Sequence, residues 1–337
     1  MEEDYRKHLK APIREDRKPL QDLLPLRQPL RILIDPCDLC NFRCHFCFQS
    51  KMDFQGSSMN EQTFARVLDQ LHDFEEPINV VHLFGLGEPL LNKKVPDYVR
   101  LLKESKVARE TAVTTNGSLL TEDISRRLVD AGLDRLSVSL NGVDDASFQK
   151  NVGTHVSFEQ IYKQIQYFYK IRGACHLHVK INGESFDEIQ RVRFVSLFED
   201  WADSIHIDHI VNVWPGLKIT SQKGRMYDGE ASVWETSADD RRIVCPQMFY
   251  ELLIHSDGSV SPCCVDYGYK AENLGNVYES NLQEIWNGSR LKNLRVQELQ
   301  GQEDSSYKFC RECSYPVCGS TVEITSCRDA LLKKYGD

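Results

Sequence analysis

The sequence predicts an α/β fold on parallel strands, with a small cysteine-rich unit at its C-terminal end. Three observations carry this. Between about Pro29 and Val211 short apolar runs alternate with helical stripes about six times, two neighbouring strands in that stretch alternate apolar with polar residues, and the twelve cysteines gather mainly in two groups. Strands separated by helices pair in parallel through right-handed crossovers, giving an α/β barrel or an open sheet. Parallel strands covered on both faces read as continuous apolar runs. Here "RLSVSLN" puts Ser137, Ser139 and Asn141 on one face, and "CHLHVKI" puts His176, His178 and Lys180 on one face. A partial (βα)6 barrel with a wet, substrate-sized interior accommodates both.

The elements follow in order. "RILID" (31–35) is a strand, and "SMNEQTFARVLDQLHDF" is a helix, because Met59, Phe64, Val67, Leu68, Leu71 and Phe74 share one stripe behind the N-cap candidate Asn60. "INVVHLFG", "TAVTTNG", "RLSVSLNG", "CHLHVKIN" and "SIHIDHIV" are the further strands; "VPDYVRLLKES", "TEDISRRLVDAG", "FEQIYKQIQYFYKI" and a segment near 189–201 are the helices between them. Residues 213–242 hold Gly, Pro, Ser and Asp without sustained periodicity and predict a linker or lid. Beyond it "CPQMFYELLIHSDGSVSPCC" predicts a hairpin turning at "SDGS", and "LQEIWNGSRLKNLRVQEL" predicts a helix. The division is thus a 1–29 extension, a 30–212 barrel, a 213–242 linker or lid, and a 243–337 cysteine-rich domain.

A chain of 337 residues, 41% of them hydrophobic, can bury a large core. No run approaches the roughly 18 apolar residues of a membrane span, and the charged N-terminus lacks an apolar signal core, so a cytoplasmic protein without membrane contact is expected. Fifty acidic residues against 41 basic ones leave no overall cationic footprint for nucleic acid. Twelve cysteines without an export signal point to metal or redox chemistry rather than disulfides.

The first group, "CNFRCHFC", places Cys40, Cys44 and Cys47 in a compact C-x3-C-x2-C triplet directly after a strand. Zinc sites more often come as two separated pairs. Three thiolates on one loop suit three corners of a cubane iron–sulfur cluster with one iron left open, unless Cys37 closes the site into a plain electron carrier. The triplet, with Phe46 before its last cysteine, resembles the signature of the radical S-adenosylmethionine (radical SAM) superfamily. Three further motifs come in that family's order: "FGLGEPLL", similar to its GGEP motif but with Leu86 between the glycines, then "TTNG", then "SVSLNG". The resemblance covers roughly residues 30–212. It implies a [4Fe-4S] cluster on Cys40, Cys44 and Cys47, with SAM on its open iron. Gly85, Gly87, Glu88 and Pro89 would hold the methionyl amino group, Ser139 and Asn141 the ribose and carboxylate, and Thr115 and Asn116 would also be contacts. The implied chemistry is reductive cleavage of SAM to a 5′-deoxyadenosyl radical that abstracts hydrogen from a substrate.

The second group comprises Cys245, Cys263, Cys310, Cys313, Cys318 and Cys327. A zinc ribbon is one reading. The group, together with "LGNV" and "LQEIWN", also resembles the SPASM and twitch extensions of radical SAM enzymes. That resemblance implies one auxiliary [4Fe-4S] cluster on Cys245, Cys263, Cys310 and Cys313, or two clusters if Cys318 and Cys327 also serve. Cys37, Cys175 and Cys264 are left as small buried hydrophobes. Candidate substrate-facing groups are His176, His178, Lys180 and Cys264. The expected function is hydrogen abstraction from a small polar substrate such as a sugar, aminocyclitol or nucleotide sugar, with flavodoxin or ferredoxin as electron donor. The alternatives are peptide or protein modification, and a non-enzymatic iron–sulfur or zinc protein.

Overall fold

A computed structural model describes residues 9, 18–51, 56–183, 186–208, 213–214, 244–266, 273–301, 308–313, 315–318, 322 and 324–336. In chain order the elements are α1 (Leu20–Leu23), β1 (Arg31–Ile34), α2 (Glu61–Leu71), β2 (Ile78–Leu83), α3 (Val95–Ser105), β3 (Ala108–Thr115), α4 (Glu122–Asp130), β4 (Arg135–Leu140), α5 (Asp145–Val152), α6 (Phe158–Ile171), β5 (His176–Asn182), α7 (Glu188–Phe198) and β6 (Ser204–Asp208). There follow β7 (Glu251–Ile254), β8 (Ser259–Ser261), β9 (Gly275–Asn276), α8 (Leu282–Asn287), α9 (Ser289–Gln300), α10 (Lys308–Glu312), α11 (Tyr315–Cys318) and α12 (Arg328–Gly336). Strands β1 to β6 pair in parallel, each with the next, as the alternation of strands and helices requires.

Local chemistry sets the helix starts. Asn60, Thr121, Ser157 and Asp187 each accept a backbone N–H of the first turn of α2, α4, α6 and α7, taking up a donor that would otherwise lack a partner. The helices bury one stripe each. Phe64 of α2 stacks on Tyr98 of α3 with ring centroids 3.9 Å apart, and both join the core with Ile32, Ile34, Val81, Leu83, Leu136, Val138, Leu140, Leu177, Val179 and Ile181 of the sheet's outer face. Period-two alternation then turns Ser137, Ser139, His176, His178 and Lys180 to the inner face, as expected from "RLSVSLN" and "CHLHVKI".

Three features depart from the expected elements. The helix expected over 282–299 is two, α8 and α9, because extended backbone at Gly288 breaks it. Helix α5 has too few apolar residues for a periodic signal; Phe148 and Val152 are its buried anchors, and Asp144 with Ser147 closes a capping box. The hairpin turns at Gly258 (φ +83°) as expected, yet β7 pairs in parallel with β1 (Arg31 opposite Glu251, Leu33 opposite Leu253). The sheet order is therefore β6-β5-β4-β3-β2-β1-β7-β8-β9, and the cysteine-rich region extends the barrel sheet. The linker or lid expected over 213–242 lies outside the described residues except for Val213 and Trp214. Among the described residues no helix is long and apolar enough to cross a membrane.

Candidate functional site

The cysteine loop leaves the end of β1 and is anchored at both flanks. Arg43 N–H and His45 N–H donate to the carbonyls of Val152 and Asn151 at the end of α5, at 2.8 and 3.1 Å. Asp38, 5% exposed, accepts from Ser57 N–H and from Ser256 Oγ at 2.8 Å, tying the loop to the tip of the β7–β8 hairpin. The loop brings Cys40, Cys44 and Cys47 close enough for their charges to interact. Burial pushes the Cys40 thiol up to about 11 and the other two up as well, against which Arg43 acts on Cys40 and Cys47. Phe42 N–H donates to Cys40 Sγ at 3.4 Å and Asn141 Nδ2 to Cys44 Sγ at 3.6 Å. Three clustered thiols that need positive charge to become thiolates, with N–H donors aimed at sulfur, fit a metal cluster. Cys37 is 1% exposed and its thiol is directed at the Leu39 carbonyl, 3.8 Å away.

Glu88 joins three of the sequence motifs. It is 1% exposed; Oε1 accepts from Thr115 Oγ1 at 2.6 Å and Leu90 N–H at 3.0 Å, and Oε2 from Asn116 N–H at 2.7 Å. Its own N–H donates to the Leu39 carbonyl at 2.8 Å, and Asn116 Nδ2 donates to Asn41 Oδ1 at 3.0 Å. Burial raises its carboxyl to about 7 despite those donors. The two glycines are required by protein packing: a Cβ on Gly85 would lie 2.0 Å from the Asp35 carboxyl carbon, and one on Gly87 would lie 2.1 Å from the Leu39 carbonyl oxygen. Pro89 starts a short 3-10 turn in which it and Leu90 are buried. Phe46 is half-buried against His45, edge to face at 5.0 Å.

Below these loops the inner face of the barrel is lined with polar groups. Its lower rows are paired internally: Arg31 with Glu251 across β1 and β7, Arg135 with Glu110 at 2.7 Å, and His176 and His178 with the one Ser204 hydroxyl, each at 2.8 Å. Burial, helped by Lys180, pushes His178 down to about 3, so it is neutral. Nearer the strand ends Lys180 Nζ meets Asp208 Oδ2 at 2.7 Å, with His206 Nε2 3.7 Å from the same carboxylate. Burial works to raise Asp208, but Lys180 and the neighbouring histidines outweigh it and hold the carboxyl below its ordinary range. These side chains are about one third exposed for Lys180 (34%) and less for Asp208 (27%) and His206 (14%). A separate small apolar patch of Leu33, Phe48, Leu86 and Leu253 lies at β1 and β7, bordered by Cys47, Phe84, Trp214 and Cys264.

Cys245, Cys263, Cys310 and Cys313 line one cavity with Gln247, Met248, Val265, Phe309, Tyr315 and Pro316. Burial pushes the Cys245, Cys263 and Cys310 thiols well up, and their own mutual charges push them further. Among the described residues no three such side chains converge on the position of one ion; a cubane takes its thiolates at separate corner irons and does not ask for that convergence. The four-cysteine partition therefore fits a cluster. Cys327 does not line this cavity, and its thiol donates to the Ile324 carbonyl at 3.1 Å. The Cys318 side chain lies outside the described residues. Cys264 is held apart from the cavity, its N–H on Glu251 Oε1 at 2.8 Å.

Asp35, Asp38, Asn41, His206, Asp208 and Glu251 are site residues that sequence reasoning missed. An acid at the end of an apolar strand, as in "RILID", was the available signal for Asp35; the others depend on pairings between distant segments.

Comparison with known proteins agrees with this geometry. The model of the radical SAM superfamily matches residues 34–194, and that of the SPASM iron–sulfur cluster-binding domain matches residues 245–314. The chain is 22% identical over 341 residues to the tungsten-containing aldehyde ferredoxin oxidoreductase cofactor-modifying protein of Pyrococcus furiosus, covering 88% of this chain and 92% of that one. Its fold is similar to that of BtrN in complex with AdoMet and 2-DOIA (TM-score 0.56, 17% identity, 88% of this chain and 95% of that one). It is also similar to Streptococcus suis SuiB bound to the precursor peptide SuiA (TM-score 0.64, 18% identity, 89% and 73%). With SAM and [4Fe-4S] clusters as its cofactors, the chain belongs to the radical SAM superfamily and carries a C-terminal SPASM iron–sulfur domain.

Proposed function

We propose that this radical SAM enzyme acts on a small polar metabolite, a sugar, aminocyclitol or nucleotide sugar, by dehydrogenation or epimerisation inside the barrel. The observation that carries this reading is the layered inner face. Near the strand ends Lys180 pairs with Asp208 while both stay partly exposed, and Ser139 lies opposite Lys180 on the neighbouring strand. An ammonium and a carboxylate side by side offer donors and an acceptor to hydroxyl or amino groups, and would orient one substrate carbon. The cluster on Cys40, Cys44 and Cys47 with SAM would supply the hydrogen-abstracting chemistry. Glu88, Thr115, Asn116, Ser139 and Asn141 would frame the SAM side. A flavodoxin- or ferredoxin-type donor and a cytoplasmic setting complete the proposal.

Peptide modification is the second reading, supported by the fold shared with SuiB bound to a precursor peptide. A groove for an extended peptide would fall to the linker at 213–242, of which only Val213 and Trp214 are described. The test is deuterium transfer from C-deuterated sugars and aminocyclitols into 5′-deoxyadenosine by anaerobically reconstituted enzyme. Transfer is expected from such a compound, to be lost in Asp208→Asn and Lys180→Met while substrate-free SAM cleavage persists. Transfer from peptides alone would overturn the proposal.

A further inference from the structure

Arg295, on α9, is 4% exposed. Its Nε donates to the Met248 carbonyl at 3.0 Å and its Nη1 to the Trp286 carbonyl at 3.2 Å, and the guanidinium lies 4.0 Å from the centroid of the Trp286 ring. Nη2 is buried with no hydrogen-bond partner among the described residues. Three half-buried arginines sit against carboxylates, Arg31 on Glu251, Arg135 on Glu110 and Arg172 on Asp203; among the described residues Arg295 has none. Burial pulls its guanidinium down to about 10, which still leaves it charged at neutral pH. A buried cation without an anion is costly, and arginine does not readily escape by losing its proton.

The missing anion has a place in the structure. Met248, whose carbonyl holds Arg295 Nε, lines the cavity of Cys245, Cys263, Cys310 and Cys313. Four thiolates around a cubane leave the loaded site with net negative charge, and cluster potentials respond to nearby charge. Glu298, 1% exposed and one turn further along α9, accepts the Cys245 N–H at 2.6 Å and adds a carboxylate to the same neighbourhood. We infer that Arg295 is the counter-cation of the auxiliary cluster, fixed behind the cavity wall by the Met248 carbonyl and the Trp286 ring, where it balances the loaded site and favours the reduced cluster. The inference rests on the assignment of that cluster to the four cysteines. The competing role, packing of the arginine stem and plane against Trp286, would matter equally with and without a cluster.

The experiment uses the full chain carrying Cys40→Ala, Cys44→Ala and Cys47→Ala, reconstituted anaerobically, so that only auxiliary iron is observed. The midpoint potential is read by EPR-monitored redox titration with Arg295, Arg295→Lys and Arg295→Met. Arg295→Met is expected to move the midpoint to lower potential at unchanged iron content, and Arg295→Lys to restore most of it. An unchanged midpoint in Arg295→Met overturns the inference. Should Arg295→Met not fold, Arg295→Gln against Arg295→Lys carries the same comparison. Chemical unfolding supplies a second readout: the neutral substitution should destabilise the cluster-loaded protein but not one that also carries Cys310→Ala and Cys313→Ala. Equal loss in both backgrounds makes Arg295 a packing residue and overturns the inference. Absence of about four irons in the triple variant with Arg295 intact would instead overturn the ligand assignment on which it rests.

Discussion

Glu88→Gln separates two opposing effects in the clasp that joins the cysteine loop to the ends of β2 and β3. The amide oxygen can replace Oε1 and keep the Thr115 and Leu90 donors, but the amide nitrogen then faces Asn116 N–H, donor against donor. One buried N–H loses its partner, at about 1–3 kcal/mol. Against this, burial raises the wild-type carboxyl from 4.5 to about 7, so ionising it in the folded protein costs about 3 kcal/mol, at roughly 1.4 kcal/mol per pKa unit. The folded state holds the proton longer than the unfolded one. This contribution to stability is therefore complete below about pH 4.5 and is lost as pH rises through about 7. Glutamine has no such proton. The variant should be less stable than wild type near about pH 5, and the gap should close or reverse by about pH 8, a swing on the order of 2–3 kcal/mol. Anaerobic guanidinium unfolding of the iron-free proteins at both pH values measures it. An identical stability difference at the two pH values would refute the claim that a buried, proton-holding Glu88 closes the clasp.

Other predictions concern the clusters. Reduced, reconstituted protein should form 5′-deoxyadenosine from SAM; Cys40→Ala, Cys44→Ala and Cys47→Ala should abolish it and Cys37→Ala should not, as product analysis would show. The chain should hold about eight irons, the triple variant about four, and further Cys310→Ala and Cys313→Ala changes should remove those; stoichiometric zinc in an elemental assay would contradict this. Gly87→Ala sets a Cβ 2.1 Å from the Leu39 carbonyl oxygen and 2.4 Å from that of Cys37. Such overpacking costs about 1–3 kcal/mol and should displace the cysteine loop, lowering iron at the first site while leaving about four auxiliary irons; unaltered iron content and unfolding midpoint would argue against this contact.

The four thiols of the second cavity were reached through resemblance to the SPASM and twitch extensions; the order of strands and helices and the cysteine triplet were legible in the sequence directly. Each rests on local information: period-two and period-3.6 apolar patterns, cap residues such as Asn60 and Thr121, and short cysteine spacings. The polar inner face was legible too, because alternation along β4 and β5 assigns faces without knowledge of partners. Tertiary structure decided what these groups do to one another. Parallel pairing of β7 with β1 set Arg31 against Glu251, 220 positions away, and carried the auxiliary cysteines onto the barrel sheet. Register between β5 and β6 brought Asp208 to Lys180 and gave two histidines a single serine. The glycines of "FGLGEP" could be recognised in sequence, but that their missing side chains make room for Asp35 and the Leu39 carbonyl follows from the close approach of two loops. Burial, which raises Glu88 and lowers Arg295, belongs to the whole fold, since desolvation depends on every element packed around a charge.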